Sequence, residues 1–172
     1  MMLPKLVVTD IDGVWTDGGM YYDQQGNEWK KFNTSDSAGV LFLRLAKIPL
    51  AIVTGEDTVI VKRRADKLGI DRLYQGVKDK LGLVHRLCTE LNIQLQEVAF
   101  IGDDLGDMPL LREAGFSACP ANAPDYVKEI VHFRTVKSGG DGAFREFVEH
   151  ILKANGVFQK VLDEHQNSLR TA

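Results

Sequence analysis

The chain alternates short, β-branched apolar segments with longer segments whose apolar residues recur every three or four positions. The first pattern is typical of buried strands and the second of amphipathic helices. Because parallel strands need a crossover connection, this order predicts an α/β fold, a parallel sheet with helices on both faces. The predicted strands are Lys5–Thr9, Leu50–Thr54, Arg72–Tyr74, Val98–Gly102 and Ser117–Cys119, with a short sixth near His132–Thr135.

Helices are predicted between and after these strands. They cover Asp36–Lys47, Asp57–Leu68, Lys80–Leu91, Met108–Ala114, Pro124–Ile130 and Gly142–Ala154. The more polar residues 156–172 form a C-terminal tail that could be a helix with a frayed end. A chain of 172 residues is large enough to bury a core, and we expect a single domain over residues 1–172.

Composition excludes several classes of function. The net charge is −3 and no long Lys/Arg block occurs, so nothing indicates nucleic-acid binding. No apolar run approaches the roughly 18 residues of a membrane span, and the N-terminus does not resemble a signal peptide. Cys88 and Cys119 are far apart, which is typical of buried thiols in a reducing compartment. We therefore expect a cytoplasmic protein without a membrane or nucleic-acid partner.

Residues 18–33 interrupt the alternation. Two short strand-like halves flank a Gly-Asn turn signal, which predicts a β-hairpin projecting after the first strand. The segment carries Tyr21, Tyr22, Trp29 and Phe32. Exposed aromatic residues in this number indicate a partner surface. The alternative is that the hairpin folds back on its own domain.

Polar residues follow the apolar strands where the strands end. Open α/β sheets bind ligands at the carboxyl ends of their strands, so these residues should converge on one edge. The set consists of Asp10, Asp12, Thr54, Gly55, Asp103 and Asp104, together with Lys80 at the start of the helix before the fourth strand. Two carboxylates as close in sequence as Asp10 and Asp12 repel each other unless a cation or a proton compensates.

Such a set is suited to phosphoryl transfer. Asp10, Asp103 and a backbone carbonyl beside Asp12 could hold Mg²⁺, which prefers oxygen ligands. Asp10 could attack phosphorus, and Asp12 could protonate the leaving group and later activate water. A second group would neutralise the phosphoryl oxygens, namely the Thr54 hydroxyl, the Gly55 amide and the Lys80 ammonium. The alternative is that the Asp pair merely forms a turn or caps a helix.

Four segments, in order, resemble the motifs of the haloacid dehalogenase superfamily: DIDGVWT (10–16), IVTGE (52–56), Lys80 and IGDDLGD (101–107). The resemblance covers essentially the whole chain and implies a Rossmann-like sheet. It implies that Asp10 is the nucleophile, Asp12 the general acid and base, and Mg²⁺ the cofactor. It also implies that Asp103 binds the metal, while Asp104 and Asp107 support the metal or orient the lysine.

Superfamily members usually carry a cap domain, and this chain has no room for one. Only the hairpin and one helix are predicted between Asp12 and Thr54, and only one helix and one strand between Thr54 and Lys80. Capless members with an aromatic hairpin resemble the 3-deoxy-D-manno-octulosonate (KDO) 8-phosphate phosphatases, and KSGGDGAFREF (137–147) resembles their Gly-rich tail segment. That resemblance implies a homotetramer in which hairpins associate and a neighbouring subunit covers the active site.

Two further segments, 26–39 and 54–70, resemble the 2-keto-3-deoxynonulosonate (KDN) 9-phosphate phosphatases still more closely. Glu56, Arg63 and Lys67 are spaced by seven and four, which predicts one helix face with Arg64 beside it. A guanidinium there could bind the substrate carboxylate, while Glu56 and Lys67 bind sugar hydroxyls. Thr34 could contact substrate or belong to a helix cap. The alternative is a solvated charged face.

The function expected from the sequence is a Mg²⁺-dependent phosphatase acting on KDN 9-phosphate. The alternatives of the same class are KDO 8-phosphate and N-acylneuraminate 9-phosphate. Two other classes compete with it. A binding module that retains the fold without turnover predicts loss of Asp10 or Asp12, and both are present. A phosphomutase normally needs a cap to exclude water, and this chain has no room for one. A protein phosphatase needs an open site, which coverage by a neighbouring subunit would oppose.

Overall fold

The computed structural model describes residues 2–170. It contains a six-stranded parallel sheet, in the order β5-β4-β1-β6-β7-β8, and a two-stranded antiparallel hairpin, β2-β3. The strands are β1 (Leu6–Thr9), β2 (Tyr21–Tyr22), β3 (Glu28–Trp29), β4 (Leu50–Val53), β5 (Arg72–Tyr74), β6 (Val98–Ile101), β7 (Phe116–Cys119) and β8 (Phe133–Arg134).

Helices connect the strands on both sides. The α-helices are α1 (Asp36–Leu45), α2 (Val59–Leu68), α3 (Lys80–Leu91), α4 (Met108–Glu113), α5 (Asp125–Lys128), α6 (Ala143–Ala154) and α7 (Phe158–Arg170). Short 3₁₀ turns at Leu95–Glu97 and Leu105–Asp107 precede β6 and α4. Within residues 2–170, no helix is long and apolar enough to cross a membrane.

The central strand β1 is buried on both faces because its side chains alternate between two cores. Val7 packs in the core formed with α1, α2, α6 and α7. Leu6 and Val8 pack in the core formed with α3, α4 and α5. A strand covered on both sides is expected to be a nearly continuous apolar run, and LVVT is one except for Thr9, whose buried hydroxyl accepts a hydrogen bond from Trp15. The sheet with helices on both faces that the sequence predicts is confirmed.

Most predicted elements agree with the structure to within two residues at either end. The β5 strand and helix α3 have the predicted bounds. Most of the predicted C-terminal tail, 156–172, is the helix α7, in which Val161 is buried and Phe158 packs edge-on against Phe42. The last two residues of the tail lie outside the described residues. Cys88 and Cys119 are buried and unpaired, as expected.

The hairpin is attached to the domain at its base and exposed at its tip. Thr16 and Phe32 form an isolated antiparallel bridge at the base, and Phe32 packs against the core. The tip turns around Asp23, whose side chain accepts hydrogen bonds from the backbone N–H groups of Gln25 and Asn27. The base of the hairpin therefore folds back on its own domain, as the alternative expects, and the tip projects; the partner surface stays a prediction. Met20, Tyr21, Tyr22 and Trp29 are all exposed.

Candidate active site

The residues that follow β1, β4 and β6 line one cavity of about 510 Å³ with the first turn of α3. This is the edge at which the sequence analysis predicts ligand binding. Its lining includes Asp10, Asp12, Thr54, Gly55, Glu56, Lys80, Asp103, Asp104 and Asp107, and also Gly13, Gly18, Val77, Lys78 and Gly106. The structure thus brings together every catalytic and metal-binding residue predicted from the motifs.

Lys80 lies between two carboxylates at the centre of the site. Its Nζ is 3.0 Å from Oδ2 of Asp10 and donates to Oδ1 of Asp107 at 2.6 Å. The other oxygen of Asp107 accepts the backbone N–H groups of Asp103 and Asp104 at 2.9 and 3.2 Å. Asp107 therefore orients both the lysine and the loop after β6. Lys80 reaches this position because Asp79 caps α3, accepting the N–H of Gly82, and starts the helix there.

Burial and mutual repulsion raise the pKa values of Asp10 and Asp103 in this cluster. Burial raises the pKa of Asp10 to about 7; repulsion from Asp107 adds to the shift, while Lys80 opposes it. Burial, followed by repulsion from Asp10 and Asp107, raises the pKa of Asp103 to about 8. Burial lowers the pKa of Lys80, but its two carboxylate partners outweigh this and the net shift is upward. The protein's own cation is thus insufficient to compensate all the carboxylates.

The donor set fits a magnesium ion. Oδ1 of Asp10 and Oδ1 of Asp103 are buried without a hydrogen-bond partner. One oxygen each of Asp10, Asp103 and Asp107 lies within 4.8 Å of the others. Two buried carboxylates have oxygens without partners and pKa values raised by burial and then by repulsion, and a divalent cation would satisfy them. Because Asp107 is already bound to Lys80 and two amides, Asp10 and Asp103 are the side chains left to hold the ion.

The loop after β1 approaches Asp103 so closely that its fourth residue, Gly13, must be glycine. A Cβ on Gly13 would lie 1.9 Å from Oδ2 of Asp103, and Gly13 has a φ of +79°. Trp15 anchors the same loop to the core. It is fully buried, its Nε1 donates to Oγ1 of Thr9 at 2.9 Å, and its ring stacks on Phe144. The Asp pair therefore lies on a turn, one of the two alternatives considered for it, and not on a helix cap; this turn places Asp10 and Asp12 at the cavity.

Sequence reasoning missed Lys30. Its Nζ donates to both oxygens of Asp12, at 2.7 Å to Oδ1 and 2.8 Å to Oδ2. The Asp12 side chain is therefore directed at the hairpin, and only its backbone carbonyl remains as a possible metal donor, as the sequence analysis proposed. No motif signals Lys30, because the pair joins positions 18 residues apart. Lys78, an exposed lysine at the rim of the cavity, was also missed.

One helix-face prediction is wrong. Helix α2 begins at Val59, after Thr58 accepts the N–H of Val61 at 3.4 Å and caps it. Glu56 consequently lies in the loop before the helix and does not share a face with Arg63 and Lys67. It nevertheless lines the cavity, as an exposed residue. Helical spacing applies only after the cap residue Thr58, and Glu56 precedes it.

Three predicted substrate-binding residues do not line the cavity of this chain. Thr34 and Lys67 are exposed elsewhere. Arg64 donates to the backbone carbonyl of Asn33 at 3.3 Å and to Oγ of Ser37 at 2.9 Å. Its guanidinium also lies over the ring of Phe32, 5.6 Å from the centroid. Within this chain, Arg64 ties α2 to the segment between the hairpin and α1.

Comparison with known proteins agrees with this geometry. Residues 69–147 match the family model of haloacid dehalogenase-like hydrolases. The chain is 41% identical over 150 residues to 3-deoxy-D-manno-octulosonate 8-phosphate phosphatase of Yersinia pestis, covering 87% of this chain and 80% of that protein. It is 38% identical over 167 residues to the phosphatase of the same name from Haemophilus influenzae, covering 97% of this chain and 92% of that protein.

A solved structure of high similarity contains ligands. The crystal structure of 3-deoxy-D-manno-octulosonate 8-phosphate phosphatase from Moraxella catarrhalis, in complex with a magnesium ion, a phosphate ion and a KDO molecule, superimposes with a TM-score of 0.90. Sequence identity is 40%, and the match covers 94% of this chain and 93% of that one.

Proposed function

Because this chain belongs to the haloacid dehalogenase-like hydrolases, in the capless group similar to 3-deoxy-D-manno-octulosonate 8-phosphate phosphatases, we propose that it hydrolyses KDO 8-phosphate to KDO and phosphate. It is a phosphoric monoester hydrolase whose cofactor is Mg²⁺ and whose substrate class is phosphorylated sugar acids. The arrangement that supports the chemistry is the pair of unpartnered carboxylate oxygens, on Asp10 and Asp103, beside the ammonium of Lys80.

In the first half of the proposed reaction, a carboxylate oxygen of Asp10 attacks phosphorus. The bond from phosphorus to the sugar oxygen breaks, and Asp12 donates a proton to that oxygen. Thr54, Gly55 and Lys80 line the same cavity, and their hydroxyl, amide and ammonium would neutralise the charge that develops on the phosphoryl oxygens. Asp10 and Asp103 would hold Mg²⁺, which would supply further charge neutralisation.

In the second half, water attacks the aspartyl-phosphate. Asp12, now ionised, accepts a proton from the water, and the bond between Asp10 and phosphorus breaks to release phosphate. The site is suited to both halves because Asp10 and Asp12 lie on the same short turn after β1 and line the same cavity. Asp107 serves the reaction by holding Lys80, and Asp104 accepts a hydrogen bond from the Tyr126 hydroxyl at 3.3 Å.

The eight-carbon substrate is supported better than the nine-carbon one. The expectation of KDN 9-phosphate depended on the resemblance of residues 26–39 and 54–70 and on one helix face, and Glu56 does not belong to that face. The relatives that match along most of the chain are named for KDO 8-phosphate, and the similar crystal structure holds KDO with magnesium and phosphate. An exposed rim with Lys78 and Glu56 offers one cation for a carboxylate and one acid for hydroxyls.

The substrate is tested by measuring kcat/KM with Mg²⁺ on KDO 8-phosphate, KDN 9-phosphate and N-acetylneuraminate 9-phosphate. We expect KDO 8-phosphate to be preferred by about tenfold or more, which corresponds to about 1.4 kcal/mol of transition-state discrimination. A preference for either nine-carbon substrate would contradict the assignment while leaving the phosphatase chemistry intact. No turnover of any of the three would contradict the substrate class.

We also propose that the hairpin joins the chain into a homotetramer in which a neighbouring subunit covers the open cavity. Tyr22 and Trp29 are 64% and 52% exposed at the hairpin tip, which is costly for a monomer in water. The double variant Tyr22→Ser, Trp29→Ser should lower the mass measured by light scattering from four chains toward one. Met2→Ser is the control, because Met2 is equally exposed but precedes β1 at the opposite edge of the sheet. An unchanged mass in the double variant would remove the hairpin's role in assembly.

A further inference from the structure

Lys30 is a buried cation contributed to the active site by the hairpin. It follows β3 directly, and its side chain is fully buried although the side chain of Lys31 next to it is 64% exposed. Burying an ammonium is costly unless a carboxylate pairs with it in good geometry. Asp12 supplies that geometry, with both oxygens within hydrogen-bond distance of Nζ.

The contacts around this pair restrict the Asp12 carboxylate on more than one side. The Thr16 hydroxyl donates to Oδ1 of Asp12 at 3.3 Å. Glu28 is the first residue of β3, and its Oε1 lies 4.0 Å from the Lys30 ammonium, so the lysine lies between two acids. An aspartate with a single partner can rotate about its side-chain bonds, whereas one held at both oxygens keeps its plane.

We propose that Lys30 is a positioning residue that fixes the Asp12 carboxylate for proton exchange with the sugar oxygen and then with water. The inference rests on the role of Asp12 in the proposed function. A carboxylate has about four lone-pair sites. The ammonium uses one on each oxygen and the Thr16 hydroxyl uses the second on Oδ1, which leaves one on Oδ2 for the reacting oxygen. Without Lys30, Asp12 would sample other orientations, and fewer of them would place an oxygen at the leaving group.

The test compares substrates whose leaving groups differ in their need for a proton. KDO 8-phosphate releases an alkoxide that must be protonated, whereas p-nitrophenyl phosphate releases a stable phenolate. We expect Lys30→Met to lower kcat/KM on KDO 8-phosphate by about tenfold or more beyond its loss on p-nitrophenyl phosphate. Lys31→Met is the matched control and should leave the ratio of the two values unchanged, since Lys31 contacts only Asp17, at 3.5 Å, among the described ion pairs.

A double-mutant cycle separates this inference from the proposed function. Asp12→Asn alone should show the same dependence on the leaving group. Adding Lys30→Met to Asp12→Asn should lower kcat/KM on KDO 8-phosphate by less than about threefold more, because both changes remove the same function. Lys30→Gln, measured in the same way, keeps the test decisive if Lys30→Met does not fold.

Equal losses on the two substrates for both Lys30 variants would overturn the inference, since a purely structural role lowers both. Losses that multiply fully in the cycle would also overturn it. If Asp12→Asn retained its leaving-group dependence in that case, the proposed function would stand. If Asp12→Asn lowered kcat/KM equally on both substrates, the role of Asp12 and the inference would fail together.

Discussion

At the scale of single residues, Asp10 combines two unfavourable features that its reaction requires. Its carboxyl is buried and lies near Asp107, so its pKa is raised to about 7 by burial and then by repulsion. Lys80 at 3.0 Å offsets this only in part. Such an arrangement destabilises the metal-free chain locally and creates affinity for a cation.

Asp10→Asn should therefore abolish turnover without unfolding the protein. The amide keeps the shape of the carboxyl but cannot attack phosphorus, and we expect kcat to fall by more than about a thousandfold. The unfolding midpoint without metal should be at least as high as that of the wild type, because a repelled charge has been removed. The measurements are phosphate release and thermal unfolding in EDTA. Near-normal phosphate release would contradict nucleophilic attack by Asp10.

The residues of the motifs were predictable because each follows a strand or begins a helix, so local sequence determines where it lies. Asp10, Thr54, Lys80 and Asp103 are of this kind. Lys30 was not predictable, because its partner depends on how the hairpin folds against the loop after β1. The contacts of Arg64 were not predictable either, because helix spacing does not show that it donates to the backbone carbonyl of Asn33; its role toward substrate stays a prediction.

At the scale of elements, the glycine-rich loop before α6 closes against the loop after β1. Gly140 donates its N–H to the carbonyl of Val14 at 3.1 Å, and Gly139 donates to Oδ1 of Asn122 at 2.9 Å. A Cβ on Gly139 would lie 1.7 Å from the carbonyl oxygen of Gly13. Two backbones in such contact leave no room for a side chain, so this loop supports the turn that carries Asp10 and Asp12.

Gly139→Ala should consequently shift the Gly13 peptide and lower activity. We expect a loss of about 1–3 kcal/mol of folding stability from overpacking and a fall in kcat of about tenfold or more, because Gly13 abuts Asp103. The measurements are thermal unfolding and steady-state kinetics with Mg²⁺.

The matched control for this prediction is Gly156→Ala between α6 and α7. Gly156 has a φ of +68° and nothing within 4 Å of an added Cβ, so the change strains the backbone without a clash. It should lose stability and keep kcat. If Gly139→Ala loses stability but keeps kcat as well, the loop before α6 does not support the catalytic turn.

At the scale of the whole molecule, the order of strands and helices was predictable because each layer has its own apolar period. The alternation of Leu6, Val7 and Val8 between two cores is one such period. The homotetramer stays a prediction, drawn from the exposed aromatic residues of the hairpin, because self-association depends on a surface that a single chain does not complete. The short spacing between the motifs likewise predicts that no cap domain lies between them, but it does not predict the number of carbons in the sugar acid.

The charge of the whole cluster predicts how stability depends on pH and on Mg²⁺. In the unfolded chain an aspartate keeps its proton only below about pH 4, whereas folded, metal-free Asp10 and Asp103 keep theirs up to about 7 and about 8. Between these values the folded state binds more protons, so these two groups lower the free energy of unfolding as pH rises from about 4 to about 8.

Mg²⁺ should reverse this trend, because it binds the ionised carboxylates that are otherwise repelled. We therefore expect the rise in unfolding midpoint on adding Mg²⁺ to be larger near pH 8 than near pH 6, measured against matched samples in EDTA. Asp103→Asn is the control and should lose most of this difference, since it removes both a proton site and a metal ligand. A rise of equal size at both pH values would mean that proton release from Asp10 and Asp103 is not linked to metal binding.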